Sequence, residues 1–262
     1  MKWLPIALLI AIVPASVVHS GTFLDDFHDR NLDGWHVMYP LGFPIPIAFK
    51  DNYLVIDTTV EEGELPVSLE FTKFLGLELR LDNSEDWITY TLTCRVRIVE
   101  VAEESPRIFS VGVRRSLGHF DVPAEQEMLI IPVGQLGQRI QVHTIPPDAK
   151  PDHGLEGMIL RQNLLEEHLR RPIKLGRWLP VKIVVENSNF EFHFDGNFVT
   201  QYEDENAVPG TVGFQIDSRM VVHLDDVKIT GQEIRNIGSP QSVNREERLA
   251  TTWGEIKSSI RK

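Results

Sequence analysis

Short runs in which apolar and polar residues alternate make up most of the chain after its first 20 residues. The clearest run extends from Trp87 to Glu100, and its alternate positions are apolar: Ile88, Tyr90, Leu92, Cys94, Val96 and Ile98. A period of two residues is typical of a half-buried β-strand. Further strands are predicted over Leu54 to Thr58, Ile108 to Arg114, Met128 to Val133, Arg139 to Ile145, Val181 to Glu186, Phe190 to Phe194, Phe198 to Tyr202, Val212 to Asp217 and Val221 to Thr230. Nearly a dozen strands separated by turn residues favour an antiparallel sandwich or barrel.

Two stretches of the sequence contain local signals that are more specific than alternation. In "FEFHFDGNFVTQY", Asp195, Gly196 and Asn197 separate two apolar-patterned runs, which predicts a tight hairpin because such turns need residues that tolerate positive φ. In "VVHLDDVKIT", the apolar phase changes sides across Asp225 and Asp226. One extra residue in a strand produces this shift, so we expect a β-bulge at the doublet.

Helical patterning is confined to two segments. The segment Gly154 to Pro172 predicts a short helix within an inserted loop. After a flexible lead-in from Gly238, apolar residues recur at the spacing of an amphipathic helix, at Leu249, Trp253, Ile256 and Ile260. This tail either packs on its own domain, stays disordered, or docks on a protein partner.

The first 20 residues have the layout of a secretory signal peptide. Lys2 precedes an apolar run from Leu4 to Val18, which is short for a membrane span and contains two prolines. We therefore expect cleavage after Ser20, a secreted or periplasmic protein, and no membrane span in the mature chain. The predicted organisation is a signal peptide over 1–20, one domain over 21–231, and a linker with an amphipathic tail over 232–262.

Charge and cysteine content narrow the function classes. The formal net charge of −12 opposes binding to the phosphate backbone, so no nucleic-acid partner is expected. The single cysteine, Cys94, excludes an internal disulfide and lies in the apolar phase of its strand, which predicts a packing role.

Three segments together resemble a known superfamily. They are "FLDDFHDRNLDGW" from Phe23, "GRWLPVKIVVENSNFEFHFDGNFV" from Gly176 and "GTVGFQIDSRMVVHLDDVKIT" from Gly210. Their order resembles the concanavalin A-like jelly rolls, specifically the laminin-G-like and bacterial glucanase-like group. This resemblance implies an all-β antiparallel β-sandwich with neighbouring first and last strands. It also implies a structural calcium ion there, with Asp226 as a carboxylate ligand.

The resemblance leaves catalysis open. The glucanases of this group carry a Glu-x-Asp-x-(x)-Glu strand that this chain lacks, and Glu191, His193 and Asp195 read more simply as a solvated hairpin face. "RIFSVGVRR", with Gly112 and Arg114, is similar to the 3-keto-disaccharide hydrolase-type domains, which makes a glycoside hydrolase the alternative. In that family an Arg-Asn pair stands near the final strand, where this chain has Asp225 and Asp226.

A jelly roll usually binds ligand on its concave face, and the polar side of the central strand serves as a guide to that face. Planar hydrogen-bonding side chains and aromatic rings at outward positions match the needs of a sugar. We therefore expect an exported module that binds a glycan or another extracellular ligand, the other interpretations being solvated cross-strand residues or an interaction protein that docks through its tail. The predicted ligand-binding residues are Trp87, Arg95, Arg97, Arg114, Arg139, Gln141 and His143.

Overall fold

The protein is a sandwich of two antiparallel β-sheets. The computed structural model describes residues 21–38, 47–59, 77–81, 86–101, 108–115, 125–132, 138–145, 162–168, 172–205, 207, 209–216, 219–232 and 234. The strands among them are β1 (Gly21–Asp25), β2 (Trp35–Met38), β3 (Ile47–Lys50), β4 (Tyr53–Asp57), β5 (Leu77–Leu81), β6 (Thr89–Val101), β7 (Phe109–Arg115), β8 (Glu125–Ile131), β9 (Arg139–Ile145), β10 (Gln162–His168), β11 (Leu179–Glu186), β12 (Asn189–Phe194), β13 (Asn197–Glu203), β14 (Thr211–Ile216) and β15 (Met220–Gly231).

Each sheet combines runs of consecutive strands with strands from distant parts of the chain. Sheet A has the order β13-β12-β11-β6-β15-β4-β3, and β1 pairs with part of β15. Sheet B has the order β10-β9-β8-β7-β14-β5-β2. The described strands confirm the predicted all-β antiparallel class, and the pairing of Gly21 with Gly231 places the first and last strands side by side as the resemblance implies.

Alternation along β6 divides the core from the surface as the sequence predicts. Leu92, Cys94, Val96 and Ile98 are buried between the sheets, while Arg95 is exposed and Arg97 is half-buried on the outer face. Cys94 is a free, buried thiol with a packing role, as expected. Burial of the apolar phase therefore orients the arginines of this strand away from the core.

The predicted hairpin and the predicted bulge are both present. Asp195 and Gly196 have φ of 51° and 75° and connect β12 to β13 as a two-residue turn, with both central residues left-handed as in type I′. At the bulge, Asp226 has φ of 49° and the register of β15 against β6 shifts between Asp225 and Lys228. Residues 221–224 pair with β4 and 227–231 with β1, so the bulge separates two pairing partners.

The prediction of a helix in the Gly154 to Pro172 segment is wrong over Gln162–His168. These residues form β10, which pairs with β9 at the edge of sheet B. Apolar residues in this short segment fit a helical period, but β9 presents unpaired backbone groups at the sheet edge, and pairing with them overrides local propensity.

Several expectations concern residues outside the described ranges. These are the signal peptide over 1–20, the amphipathic tail, and the parts of the inserted segment that flank β10. The three-part organisation over 1–20, 21–231 and 232–262 therefore remains a prediction. In the part of the chain that the structure describes, no helix has the length and apolarity needed to cross a bilayer.

The early motif "FLDDFHDRNLDGW" joins the two sheets through a buried carboxylate. Trp35 donates its indole N–H to Asp25 Oδ2 over 2.7 Å, and the backbone N–H of Phe27 donates to Asp25 Oδ1 over 2.9 Å. Trp35 also packs against Phe23 of sheet A and Phe214 of sheet B. Burial raises the pKa of Asp25 to about 6, although these two hydrogen bonds act to lower it.

Arg114 is a second buried link between the sheets, and its position corrects the expectation that it faces solvent. It lies in sheet B, where Arg114 has φ of 58° and the register with β14 shifts, so alternation fails and its side chain turns inward. Its Nη2 donates to the carbonyl oxygens of Ile88 and Asn187, each over 2.6 Å. Arg114 is 1% exposed and therefore serves the core.

Stability should respond to pH through Asp25. A carboxyl with a folded-state pKa above its unfolded value stabilises the fold fully at low pH, and this contribution is lost as pH rises through about 6. Between pH 7.5 and pH 5 the wild type should therefore gain roughly 1 kcal/mol of unfolding free energy relative to Asp25→Asn. Urea unfolding at both pH values measures the difference. An exposed acid away from Asp25 provides a control, since Glu186→Gln should keep the wild-type pH dependence.

Replacing Arg114 should damage the fold. Hydrogen bonds from a charged group contribute about 1.5–3 kcal/mol each, so Arg114→Met, which loses both carbonyl contacts, should lower the unfolding free energy by roughly 3 kcal/mol or more. Lys182→Met, at an exposed position of sheet A, should change it by less than about 0.5 kcal/mol. An Arg114→Met protein with wild-type stability would contradict the core role assigned to this arginine.

Candidate functional site

The seven predicted ligand-binding residues separate into three groups. Arg95 and Arg97 lie on the outer face of sheet A, on β6. Arg139, Gln141 and His143 lie on β9, and Arg139 and Gln141 are in the phase opposite to the buried Ile140 and Val142, which is the outer face of sheet B. Trp87 and Arg114 belong to the core. The structure therefore does not bring these residues into one surface.

Trp87 is the second residue whose predicted orientation is wrong. It is 5% exposed and packs edge-on against Tyr90, with ring centres 5.9 Å apart. The strand begins at Thr89, so Trp87 precedes the region in which alternation determines direction. Its ring is part of the hydrophobic core and is not available to stack on a ligand.

Arg97 is the centre of a compact group on the outer face of sheet A. The group comprises Arg97, Tyr53, Trp178 and His223 and is called here the Arg97 cluster. The guanidinium carbon of Arg97 lies 4.8 Å from the centre of the Tyr53 ring and 4.6 Å from that of Trp178. Tyr53 stacks on His223 at 4.7 Å and meets Trp178 edge-on at 5.6 Å. These contacts hold the guanidinium against two aromatic rings.

Strand pairing explains how residues so distant in sequence meet. His223 is directly opposite Arg97 in the β6–β15 ladder, and Val55 of β4 is opposite His223. Tyr53 shares the outward phase of Val55, since Leu54 between them is buried. Trp178 immediately precedes β11, whose first residue pairs with Val96. The adjacent strands β4, β15 and β6 and the residue before β11 thus supply the cluster.

His223 acts as a neutral acceptor for Arg97. The Nε and Nη2 groups of Arg97 both donate to His223 Nδ1, over 3.0 and 2.7 Å. Partial burial, followed by the positive charges of Arg97 and Lys50, lowers the pKa of His223 to about 4. The imidazole is therefore uncharged at neutral pH, with the proton on Nε2, and it leaves the charge of Arg97 uncompensated.

Arg95 lies beside the cluster and is paired with two carboxylates. Its Nη2 is 2.5 Å from Asp225 Oδ2 and its Nε is 2.7 Å from Asp226 Oδ2, while its guanidinium carbon lies 5.2 Å from the Trp178 ring centre. Burial is the main cause that raises the pKa of Asp225. The bulge therefore places two acids around one arginine.

This arrangement does not fit the calcium ion that the resemblance implies. Calcium takes about six to eight oxygen ligands, and the carboxylate expected to supply one, that of Asp226, is paired with Arg95. Among the described residues there is no group of three or more histidine, cysteine, aspartate or glutamate side chains that could hold a metal. The Arg95 guanidinium already engages both carboxylates of the bulge.

The hairpin acids are also committed to separate partners. Glu191 Oε1 contacts His193 Nε2, whereas Asp195 pairs with Arg177. These three residues therefore do not form a convergent catalytic set. The described geometry agrees with the simpler interpretation of a solvated hairpin face.

Sequence reasoning missed three of the four residues in the Arg97 cluster. His223 and Tyr53 occupy outward phases of their strands, so alternation indicates their direction but not which strands are neighbours. Trp178 stands just outside a strand, where alternation gives no information. Only the strand order shows that these residues share one surface.

Calcium should have little effect on this protein. Because Arg95 pairs with both Asp225 and Asp226, adding calcium to a chelator-treated sample should leave the melting temperature unchanged and produce no binding heat. Differential scanning and titration calorimetry measure the two quantities. A rise in melting temperature that disappears in Asp226→Asn would restore the calcium site.

No protein-family model and no curated protein matches the chain. Solved structures do match its fold. The chain is similar to the carbohydrate recognition domain of Emp47p, with a TM-score of 0.56, 11% identity, and coverage of 82% of this chain and 95% of that chain. It is also similar to the exoplasmic/lumenal domain of VIP36 in a Ca2+/Man3GlcNAc-bound form, with a TM-score of 0.52, 7% identity, and coverage of 87% and 92%.

A third similar structure is the carbohydrate-binding module CBM66 from Bacillus subtilis, with a TM-score of 0.50, 12% identity, and coverage of 74% of this chain and 94% of that chain. Identities this low show the fold alone. They confirm a lectin-like β-sandwich of the jelly-roll kind, while the narrower likeness to laminin-G-like and 3-keto-disaccharide hydrolase-type domains stays a prediction.

Proposed function

We propose that the protein is a carbohydrate-binding module that holds a glycan at the Arg97 cluster. The observation behind this proposal is the half-buried Arg97 guanidinium, held against Tyr53 and Trp178 and matched by no carboxylate in the described part of the chain. Sugars combine apolar C–H faces with hydroxyl groups that need paired donors and acceptors. Half-buried rings beside a fixed, planar donor meet both needs.

The cluster is also preorganised. Its guanidinium is held by two rings and by two hydrogen bonds to one imidazole, so little side-chain freedom remains to be lost when a ligand binds. Preorganisation of this kind favours binding because the entropy cost falls on folding and not on association. A solvated surface arginine with no binding role would not require two aromatic rings and two hydrogen bonds to hold its guanidinium in place.

The comparisons support the proposal at the level of fold. Two of the three similar structures are a carbohydrate-binding module and a carbohydrate recognition domain, and the third is a Man3GlcNAc-bound form. If residues 1–20 direct export, the proposed glycan is extracellular or periplasmic. The signal peptide and the glycan are separate proposals, and either can be tested without the other.

Binding is favoured over cleavage as the proposed activity. Two carboxylates beside the cluster, those of Asp225 and Asp226, are both salt-bridged to Arg95. Arg114, part of the motif similar to 3-keto-disaccharide hydrolase-type domains, donates to backbone carbonyls in the core. No observation in the described residues favours the hydrolase alternative over binding.

A glycan array followed by titration calorimetry tests the proposal. Trp178→Ala and Arg97→Ala should each raise the dissociation constant for the best glycan at least about tenfold, which corresponds to a loss of about 1.4 kcal/mol of binding free energy. Lys182→Ala should bind like wild type, since Lys182 is exposed on the same face but opposite Thr93, four residues along β6 from Arg97. Circular dichroism of each variant checks that the fold is intact.

The contrary results are equally specific. Unchanged binding in both Trp178→Ala and Arg97→Ala would show that the glycan does not bind at the Arg97 cluster. Loss of binding in Gln141→Ala instead would move the site to the outer face of sheet B. Absence of binding across neutral and acidic glycans would refute the proposed function.

A further inference from the structure

We infer that the glycan recognised at the Arg97 cluster carries a carboxylate, so that the ligand class is acidic sugars of the uronic acid type. This inference rests on the proposed function and names the chemical class of its ligand. Three observations support it: the unmatched charge of Arg97, the neutral state of His223, and the position of the rings beside the guanidinium.

Arg97 differs from the arginines near it because no carboxylate of the described residues pairs with its charge. Arg95 is paired with two carboxylates and Arg177 with one. Arg97 instead donates from Nε and Nη2 to an imidazole nitrogen, and within the described residues its Nη1 group has no partner. A guanidinium donates up to five hydrogen bonds and binds carboxylates in a fork geometry. The vacant Nη1 edge is therefore suited to a ligand oxygen of negative charge.

His223 preserves this positive charge. A glutamate or aspartate opposite Arg97 would form an ordinary cross-strand ion pair. The imidazole accepts both hydrogen bonds without adding negative charge, and the positive charges of Arg97 and Lys50 contribute to its lowered pKa. An acidic ligand would compensate the charge of Arg97, which pairs with no carboxylate in the described part of the chain.

The aromatic rings distinguish an acidic sugar from a small free anion. Tyr53 and Trp178 are half-buried around the guanidinium, so a ligand that reaches Nη1 also contacts ring carbon atoms. A uronic acid joins a carboxylate to a pyranose ring with apolar C–H groups. It satisfies both parts of the cluster, whereas a free carboxylate satisfies only the charge.

Matched ligands test this inference on the unaltered protein. Titration calorimetry compares oligogalacturonate and alginate oligomers with their fully methyl-esterified forms, which keep the sugar ring but lose the charge. At least one acidic oligomer should bind, and its ester should bind at least about tenfold more weakly, because a charge-assisted hydrogen bond is lost. Sulfated oligosaccharides and free acetate form two further arms and should bind more weakly than the best uronate.

The titration of His223 provides a second readout that a purely structural role would not affect. Burial is the largest cause of the lowered His223 pKa, and the positive charge of Arg97 is the next. A bound carboxylate partly cancels that charge, so this pKa should be higher with the acidic oligomer than with its ester. The methyl ester adds burial but no negative charge, so it should not raise this pKa. Two-dimensional NMR of the imidazole resonances against pH measures both, and Arg97→Lys should retain the charge but lose most of the affinity.

The outcomes separate the inference from the proposed function. Equal binding of acid and ester, with affinity that still depends on Trp178, would overturn the carboxylate inference and keep a glycan-binding module. Tighter binding of a sulfated glycan or of free acetate would also overturn it. If none of the glycans binds, the proposed function fails and the inference fails with it.

Discussion

The antiparallel pairing of β6 with β15 is the constraint on which the rest of the structure depends. The two strands run together from Met220 opposite Val101 to Gly231 opposite Tyr90. On its other edge, β15 changes partner from β4 to β1, and the bulge at Asp225 and Asp226 lies between the two pairings. The phase shift keeps Leu224 and Val227 both in the core, although they are three positions apart in the chain. A regular strand would have placed one of them in solvent.

The same pairing creates the outer surface of sheet A. Arg97 meets His223 and Arg95 meets Asp225 because these residues are opposite one another in the ladder. One pair leaves a positive charge unmatched, while the bulge adds Asp226 to the other pair. The fold and the candidate site therefore share one origin: the register that buries the core also decides which arginine is neutralised and which remains available.

Alternation predicted the long strands well because each has one buried face over many residues. It predicted β6, β9, the hairpin at Asp195 and the phase shift of β15, all of which are local properties of the chain. It missed β1, β2, β3 and β5, which have only four or five residues and therefore too few alternations to stand out. It assigned helix to residues of β10, because the determining contact there is a sheet edge contributed by another part of the chain.

The same distinction explains the candidate site. Arg95 and Arg97 were identified because their direction follows from their own strand. Arg114 was misplaced because its bulge depends on β14, and Trp87 because its strand begins two residues later. Tyr53 and His223 are separated by 170 residues in the chain, and only the pairing of β4 with β15 brings them together. Orientation is thus encoded locally, whereas proximity is encoded by topology.

The pairing of Gly21 with Gly231 determines which end of sheet A faces outward when the protein is fused to a partner or immobilised. The chain enters β1 and leaves β15 at one end of sheet A, where Gly231 is opposite Tyr90. Arg97 lies seven residues farther along β6, which at about 3.3 Å per residue is roughly 23 Å away. A fusion partner, a sensor surface or a display scaffold joined next to either strand would hold the opposite end of the sheet outward, leaving Arg97 and its aromatic neighbours accessible.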